Sequence, residues 1–192
     1  MTTTNAPLRL AIIIGSTREG RYADVIANWF AARAIERDDL EVDVVDVAAV
    51  DLPVHFSRTG SAALSAYAAR IERAECFVVV TPEYNGGIPG VLKYFIDMLK
   101  FPESFERRPV CFTGVAAGIW GALRPVEQLQ AIFGYRNAYI YPERVFLPGI
   151  GKLLDTNGRL SDPDLLERLK SQAEGFVGFT ERLQGVKLRG GT

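Results

Sequence analysis

What most narrows the fold of this chain is an alternation: short apolar runs, too brief for helices, are separated by longer stretches with helical spacing. Leu8 to Ile14 (LRLAIII) is nearly continuous in apolar residues, rich in isoleucine, and stops at Gly15. A strand buried on both faces of a parallel sheet reads this way, because neither of its faces turns toward water. Glu41 to Val47 (EVDVVDV), Cys76 to Thr81 (CFVVVT) and Pro109 to Thr113 (PVCFT) resemble it, and Ala138 to Tyr141 (AYIY) is a shorter fifth candidate.

Between these runs, apolar residues recur at three- and four-residue spacing, which places them on one helical face. The sets are Tyr22, Ile26, Trp29 and Phe30, then Leu64, Tyr67, Ala68 and Ile71, then Val91, Leu92, Phe95, Ile96 and Leu99. A fourth helix is predicted over Gly121 to Phe133. The last begins at a cap on Ser161 or Asp162, has Pro163 in its first turn, and carries Leu166, Leu169, Ala173, Phe176, Thr180 and Leu183 along one side.

Strand-then-helix alternation with right-handed crossovers yields a parallel sheet with helices on both faces, a doubly wound α/β fold. Such sheets bind ligands at the carboxyl ends of their strands, so the loops after the first, third and fourth strands are the places to look. Asp51 to Ser61, and Arg144 to Leu160 with its Asn157-Gly158 turn signal, fall outside the alternation and read as linkers that line a pocket or an interface. Arg189 to Thr192 reads as a loose tail, like the first few residues.

The 192 residues suit one domain, positions 1–192, because that length supports one sizeable core. The 22 basic and 23 acidic residues leave a net charge of -1, so there is no field to gather nucleic acid or an anionic membrane. Cys76 and Cys111 each lie inside an apolar run, which favours buried free thiols and a reducing compartment. No apolar stretch is long enough to span a bilayer, and Met1 to Ala6 lacks the order of a secretion signal, so a cytoplasmic protein is expected. The single histidine, His55, has no visible partners for a metal site or a catalytic triad.

The first strand runs into Gly15-Ser16-Thr17-Arg18-Glu19-Gly20-Arg21-Tyr22. Backbone N–H groups and the dipole of the following helix favour an anion there. Ser16 and Thr17 offer hydroxyls, Arg18 and Arg21 offer charge, and the two glycines allow the backbone to curl around an oxyanion. The segment approaches the triphosphate pattern GxxxxGK[ST], but Arg21 stands for the lysine and Tyr22 for the magnesium-binding hydroxyl. The dinucleotide pattern GxGxxG is absent, although Asp46 is in range of a ribose role. A single terminal phosphate held without metal, as a mononucleotide presents, remains. An exposed turn with solvated arginines is the alternative.

After the third strand comes Thr81-Pro82-Glu83-Tyr84-Asn85-Gly86-Gly87, with Ile88-Pro89-Gly90 opening the next helix. Tyr84 can cover the face of a planar ring, while Asn85 and the backbone donors of a glycine-rich turn can reach ring oxygens and nitrogens. Pro82 and the glycines serve equally as turn formers, and Glu83 as a structural carboxylate or helix-entry charge. The loop after the fourth strand, Thr113 to Gly121, is small, with Gly114 and Gly118 permitting close backbone approach to a planar ligand. Trp120 either shapes an acceptor pocket or packs against the fourth helix.

These residues resemble the NADPH-dependent FMN reductases, a family that includes quinone, azo-dye and chromate reductases. The family's GSxR loop is matched by Gly15-Ser16-Thr17-Arg18, and its TPEYN loop followed by a PGxLKxxxD helix by Thr81 to Asn85 and Pro89 to Asp97. The resemblance runs from about Leu8 into the last helix. It implies a flavodoxin-like, doubly wound five-stranded parallel sheet in the order 2-1-3-4-5. It also implies FMN as cofactor and NADPH or NADH as co-substrate. Ser16 and Arg18 are then expected on the FMN phosphate, joined by Thr17, Arg21 and Tyr22. Pro82, Glu83, Tyr84, Asn85 and Gly86 are expected along the ring, with Gly114 and Gly118 bordering it. Arg21 and Tyr22 stand where the family more often has small polar residues, and the GSTRxGR form marks a subgroup. Lys93 and Asp97 fit a subunit interface of a homodimer or homotetramer.

The expected reaction needs no catalytic side chain, because flavin N5 carries the hydride from nicotinamide to a flavin, quinone or similar small acceptor. A flavin-binding electron carrier or sensor is the rival from another class, and a magnesium-dependent phosphohydrolase is a second.

Overall fold

The apolar runs pair side by side because each supplies two hydrophobic faces and a full row of backbone donors and acceptors. In the computed structural model, which describes residues 6–53, 55 and 62–184, they form β1 (Leu8–Ile14), β2 (Leu40–Asp46), β3 (Cys76–Pro82), β4 (Pro109–Val115) and β5 (Tyr139–Leu147). Every neighbouring pair is parallel, in the order β2-β1-β3-β4-β5. The connecting helices are α1 (Ala23–Ile35), α2 (Ala62–Arg73), α3 (Gly90–Met98), α4 (Leu123–Tyr135) and α5 (Pro163–Gln184). This is the flavodoxin-like order expected from the sequence.

The two-residue period of the strands sorts the core into halves. Leu10, Ile12, Ile14, Cys76, Val78 and Val80 face α1 and α5. Ala11, Ile13, Phe77, Val79 and Phe112 face α2, α3 and α4. Full burial of each large side chain stabilises by about 1.5–3 kcal/mol. That is why β1, β3 and β4 carry almost no polar residues. Cys76 and Cys111 are buried free thiols on the α1/α5 side.

β5 is longer than Ala138 to Tyr141, and the linker expected from Arg144 begins only after Leu147. Pro142 lies within β5, which is an edge strand, where a missing N–H is tolerated at a bulge. The β4–β5 register jumps there, from Val110 opposite Ile140 to Phe112 opposite Arg144. Buried Gln172 of α5 fills the break. Its amide donates to the Phe112 and Glu143 carbonyls at 2.9 and 3.2 Å and accepts from the Thr113 hydroxyl at 2.8 Å.

Asp162 is the cap of α5, accepting the Leu165 N–H at 2.9 Å, and Leu183 on its last turn is exposed. The Asn157-Gly158 turn forms over Asp155, whose carboxylate accepts the Asn157 and Arg159 N–H groups. Most of the Asp51 to Ser61 linker, and the Arg189 to Thr192 tail, lie outside the described residues. Among the described residues no helix is long and apolar enough to cross a membrane.

Candidate active site

β1 and β3 are neighbours, yet the chain leaves β1 for α1 on one face and β3 for α3 on the other. Their loops therefore diverge and open a cleft at the carboxyl edge of the sheet. The cleft holds about 540 Å³, within the range of ligand pockets. It is lined by Ser16, Arg18 to Ala23, Pro82 to Tyr84, Gly86, Val115 to Gly118 and Trp120.

Gly15 leaves β1 with its N–H donating to the Val80 carbonyl at 2.9 Å. A Cβ there would lie 2.7 Å from Leu92 Cδ2, so this glycine serves the packing of α3 rather than the curl of the loop. Gly20 does serve the curl, with φ +65° and open space around it. Ser16 is fully buried, and its hydroxyl lies 2.5 Å from the Tyr84 hydroxyl while accepting the Arg18 N–H at 3.3 Å. Arg18 is exposed and has no ion pair among the described residues. Thr17 is exposed and does not line the cleft.

Arg21 lines the cleft, but its charge is committed. The guanidinium donates to Asp46 through a two-pronged pair at 2.9 and 2.6 Å, to Asp24 at 2.6 Å, and to the Ser16 carbonyl. The Asp46 hydrogen bond, outweighing the cost of burial, raises the Arg21 pKa above its ordinary value. Asp46 thus meets an arginine and the Ala48 N–H, so both of its carboxylate oxygens are already engaged. Tyr22 stands just before α1 with no side-chain cap, its hydroxyl packed where a Gly151 Cβ would fall, at 2.9 Å.

In the second loop, Tyr84 and Gly87 exchange both backbone hydrogen bonds at 3.0 Å around Asn85 (φ 51°) and Gly86 (φ 78°). Two successive positive φ values make a hairpin turn of the Asn-Gly kind. Asn85 is consequently an exposed turn residue outside the cleft lining. Gln128 of α4 anchors the loop by accepting the Ile88 N–H at 3.0 Å, a contact with no signal in the sequence. Glu83 pairs with Arg124 at 3.0 Å, and its second oxygen is buried with no partner among the described residues.

Gly114 also departs from expectation. It is buried within β4, where a Cβ would collide with the Gly121 carbonyl and come within 3.1 Å of Phe146, and it does not line the cleft. Gly118 does line it, with open space on its Cβ side. The loop is stitched to the end of β5 by Ala116 N–H to the Leu147 carbonyl and Gly149 N–H to the Gly118 carbonyl, both at 3.1 Å. Beyond it, Ile119 and Trp120 are 79% and 57% exposed, and Trp120 forms part of the cleft wall. His55 is exposed and apart from the cleft. Among the described residues no group of three or more His, Cys, Asp or Glu side chains is placed to hold a metal.

The family model for NADPH-dependent FMN reductases matches residues 8–151. Among curated proteins, the chain is 28% identical over 184 residues to a quinone reductase of Escherichia coli, covering 92% of this chain and 97% of that one. It is 24% identical over 178 residues to an NAD(P)H-dependent FMN reductase of Pseudomonas aeruginosa, covering 90% and 95%. Among solved structures, the fold resembles a flavoenzyme NAD(P)H:(acceptor) oxidoreductase of Paracoccus denitrificans, with TM-score 0.76, 21% identity, and coverage of 91% and 98%. It also resembles a flavodoxin of Bacillus cereus, with TM-score 0.57, 16% identity, and coverage of 88% and 97%. With the matched span running from β1 through the loops that wall the cleft, the chain belongs to the NADPH-dependent FMN reductase family.

Proposed function

We propose that the chain is an FMN-dependent NAD(P)H oxidoreductase that reduces a quinone or similar small acceptor, with the cofactor held in the cleft at the β1–β3 divide. One observation carries the placement: a guanidinium with no ion pair among the described residues, Arg18, shares a cleft with an uncapped helix start and a tyrosine-bearing glycine turn. The donor set fits the group. Arg18, the first-loop backbone and the N-terminus of α1 suit a phosphate dianion. Tyr84, Pro82 and the side-chain-free Gly118 leave room and apolar surface for a flat ring.

When bound, FMN supplies the two-electron chemistry, accepting hydride from NAD(P)H and passing it on with a proton to the acceptor. The protein supplies position. Arg18 neutralises the phosphate, Tyr84 and Pro82 flank the ring, and Gly118 admits a close backbone approach. Val115, Ala116, Ala117 and Trp120 give the slot apolar walls that exclude water from the transfer.

The protein also works as a homo-oligomer in this reading. Phe101 and Tyr135 stack at 5.2 Å with 52% and 75% of their surface exposed. They share a shallow groove with the Lys93–Asp97 pair. Stacked aromatics left in water favour a second copy as their cover. Tyr135→Glu should lower the mass measured by sedimentation, and an unchanged mass would remove this surface from the assembly.

The central test adds FMN to purified protein, desalts it, and records the flavin spectrum. NADPH oxidation with a quinone is then followed at the nicotinamide band. Wild type should keep its colour and oxidise NADPH, whereas Arg18→Ala should lose both at the same concentration. A colourless wild type that oxidises no NADPH would overturn the proposal.

A further inference from the structure

We infer that Arg21 is a positioning residue, clamped by Asp46, that shapes the first loop for the phosphate instead of touching it. The inference rests on the reading that this loop receives the FMN phosphate.

A guanidinium has five N–H bonds, and those of Arg21 are almost all engaged. Its Nε reaches Asp24, one terminal nitrogen reaches both the Ser16 carbonyl and Asp46 Oδ1, and the other reaches Asp46 Oδ2. Its side chain is only 12% exposed. Two carboxylates surround one cation, so the Arg21 charge is compensated within the cluster and little of it is left to attract a dianion. A direct phosphate contact would require breaking a two-pronged arginine–carboxylate pair, among the stronger polar contacts a protein makes.

The geometry gives Arg21 other work. Asp46 ends β2 directly opposite Ile14 of β1, so the pair spans from one strand end to the neighbouring loop. Through Arg21 the clamp pins the Ser16 carbonyl. A trans peptide is planar, with its N–H opposed to its C=O, so fixing that carbonyl fixes the Thr17 N–H on the opposite side of the loop. The same Ser16 is tied through its hydroxyl to Tyr84. Asp46, Arg21, Ser16 and Tyr84 therefore form one hydrogen-bonded chain across the ends of β2, β1 and β3, and Arg18 brings the loop's positive charge that has no ion pair among the described residues.

The test compares FMN with riboflavin, which has the same ring and no phosphate. Dissociation constants are measured by flavin fluorescence for wild type, Asp46→Ala, Asp46→Asn and Arg21→Lys, with circular dichroism confirming folding. The clamp predicts weaker FMN binding in all three variants, by about tenfold where the charge-assisted pair is lost, and little change for riboflavin. Asp46→Asn retains the side-chain shape and one acceptor oxygen, so a smaller loss of the same sign is expected. Removing a carboxylate near a directly bound phosphate would have the opposite sign, so tighter FMN binding in Asp46→Ala or Asp46→Asn would overturn the inference. Equal losses for FMN and riboflavin would overturn it too, by showing a general effect on the fold. A wild type that binds no FMN, or binds it no better than riboflavin, defeats the phosphate reading itself and is distinguishable from either result.

Discussion

The Tyr84 hydroxyl lies 2.5 Å from the hydroxyl of fully buried Ser16. One bond thereby joins the loop after β3 to the loop after β1, the two segments that part to opposite faces of the sheet. Both loops line the cleft, so the bond sets the separation of its two walls.

Tyr84→Phe removes this bond while keeping the ring, and leaves the buried Ser16 hydroxyl with only the long contact from the Arg18 N–H. A loss of about 1–2 kcal/mol in urea unfolding is expected, with FMN affinity falling as the loops decouple. Stability equal to wild type would mean that Ser16 finds another partner.

Gly15 has a packing reason that a substitution can expose. An alanine Cβ would sit 2.7 Å from Leu92 Cδ2 and 3.1 Å from the Val80 carbonyl. Gly15→Ala should cost about 1–3 kcal/mol by overpacking. Adding Leu92→Ala should make the double variant less impaired than the sum of the two singles, a coupling readable in a double-mutant cycle.

Trp120 joins the cleft wall with more than half of its surface still in water. An indole at that place offers a planar face to an aromatic acceptor. Trp120→Ala should raise KM for aromatic quinones severalfold and leave the FMN dissociation constant unchanged. Equal KM values in variant and wild type would take the indole out of the acceptor's path.

Burial pushes both thiols, Cys76 and Cys111, well above the ordinary value of 9.0. Tyr141 is pushed up to about 12, first by burial and then by neighbouring Glu143. Groups whose folded pKa is raised keep their protons in the native state, so the unfolded chain binds fewer protons as alkalinity increases. Stability is therefore full below about pH 9 and declines above it, by up to about 1.4 kcal/mol per pH unit for each thiol. Thermal melts from pH 8 to 11 should show the decline, and the Cys76→Ala, Cys111→Ala double variant should show a shallower one.

Much of the site was already legible in local chemistry. Ser16, Arg18, Tyr22, Pro82, Glu83, Tyr84, Gly86 and Gly118 all reach the cleft, because each lies where a buried strand ends and a loop must begin. Thr17, Asn85 and Gly114 did not. The Asn-Gly pair has its own turn chemistry, which competes with a ligand role, and Gly114 yields its side-chain space to Gly121. Gln128 and Gln172 gave no signal at all, since their partners lie 40 and 59 residues away in sequence.

The amino-acid order by itself determined the element types, their succession and the faces they bury, since these follow from hydrophobic period and strand-end glycines within a few neighbouring residues. The partners of each charge were decided only when the strands assembled. Arg18 and Arg21 are three positions apart in one loop, yet β2 brings Asp46 to Arg21 and leaves Arg18 without an ion pair among the described residues. The pairing of a side chain depends on distances through space, and parallel strand order creates those distances without any mark in the local sequence.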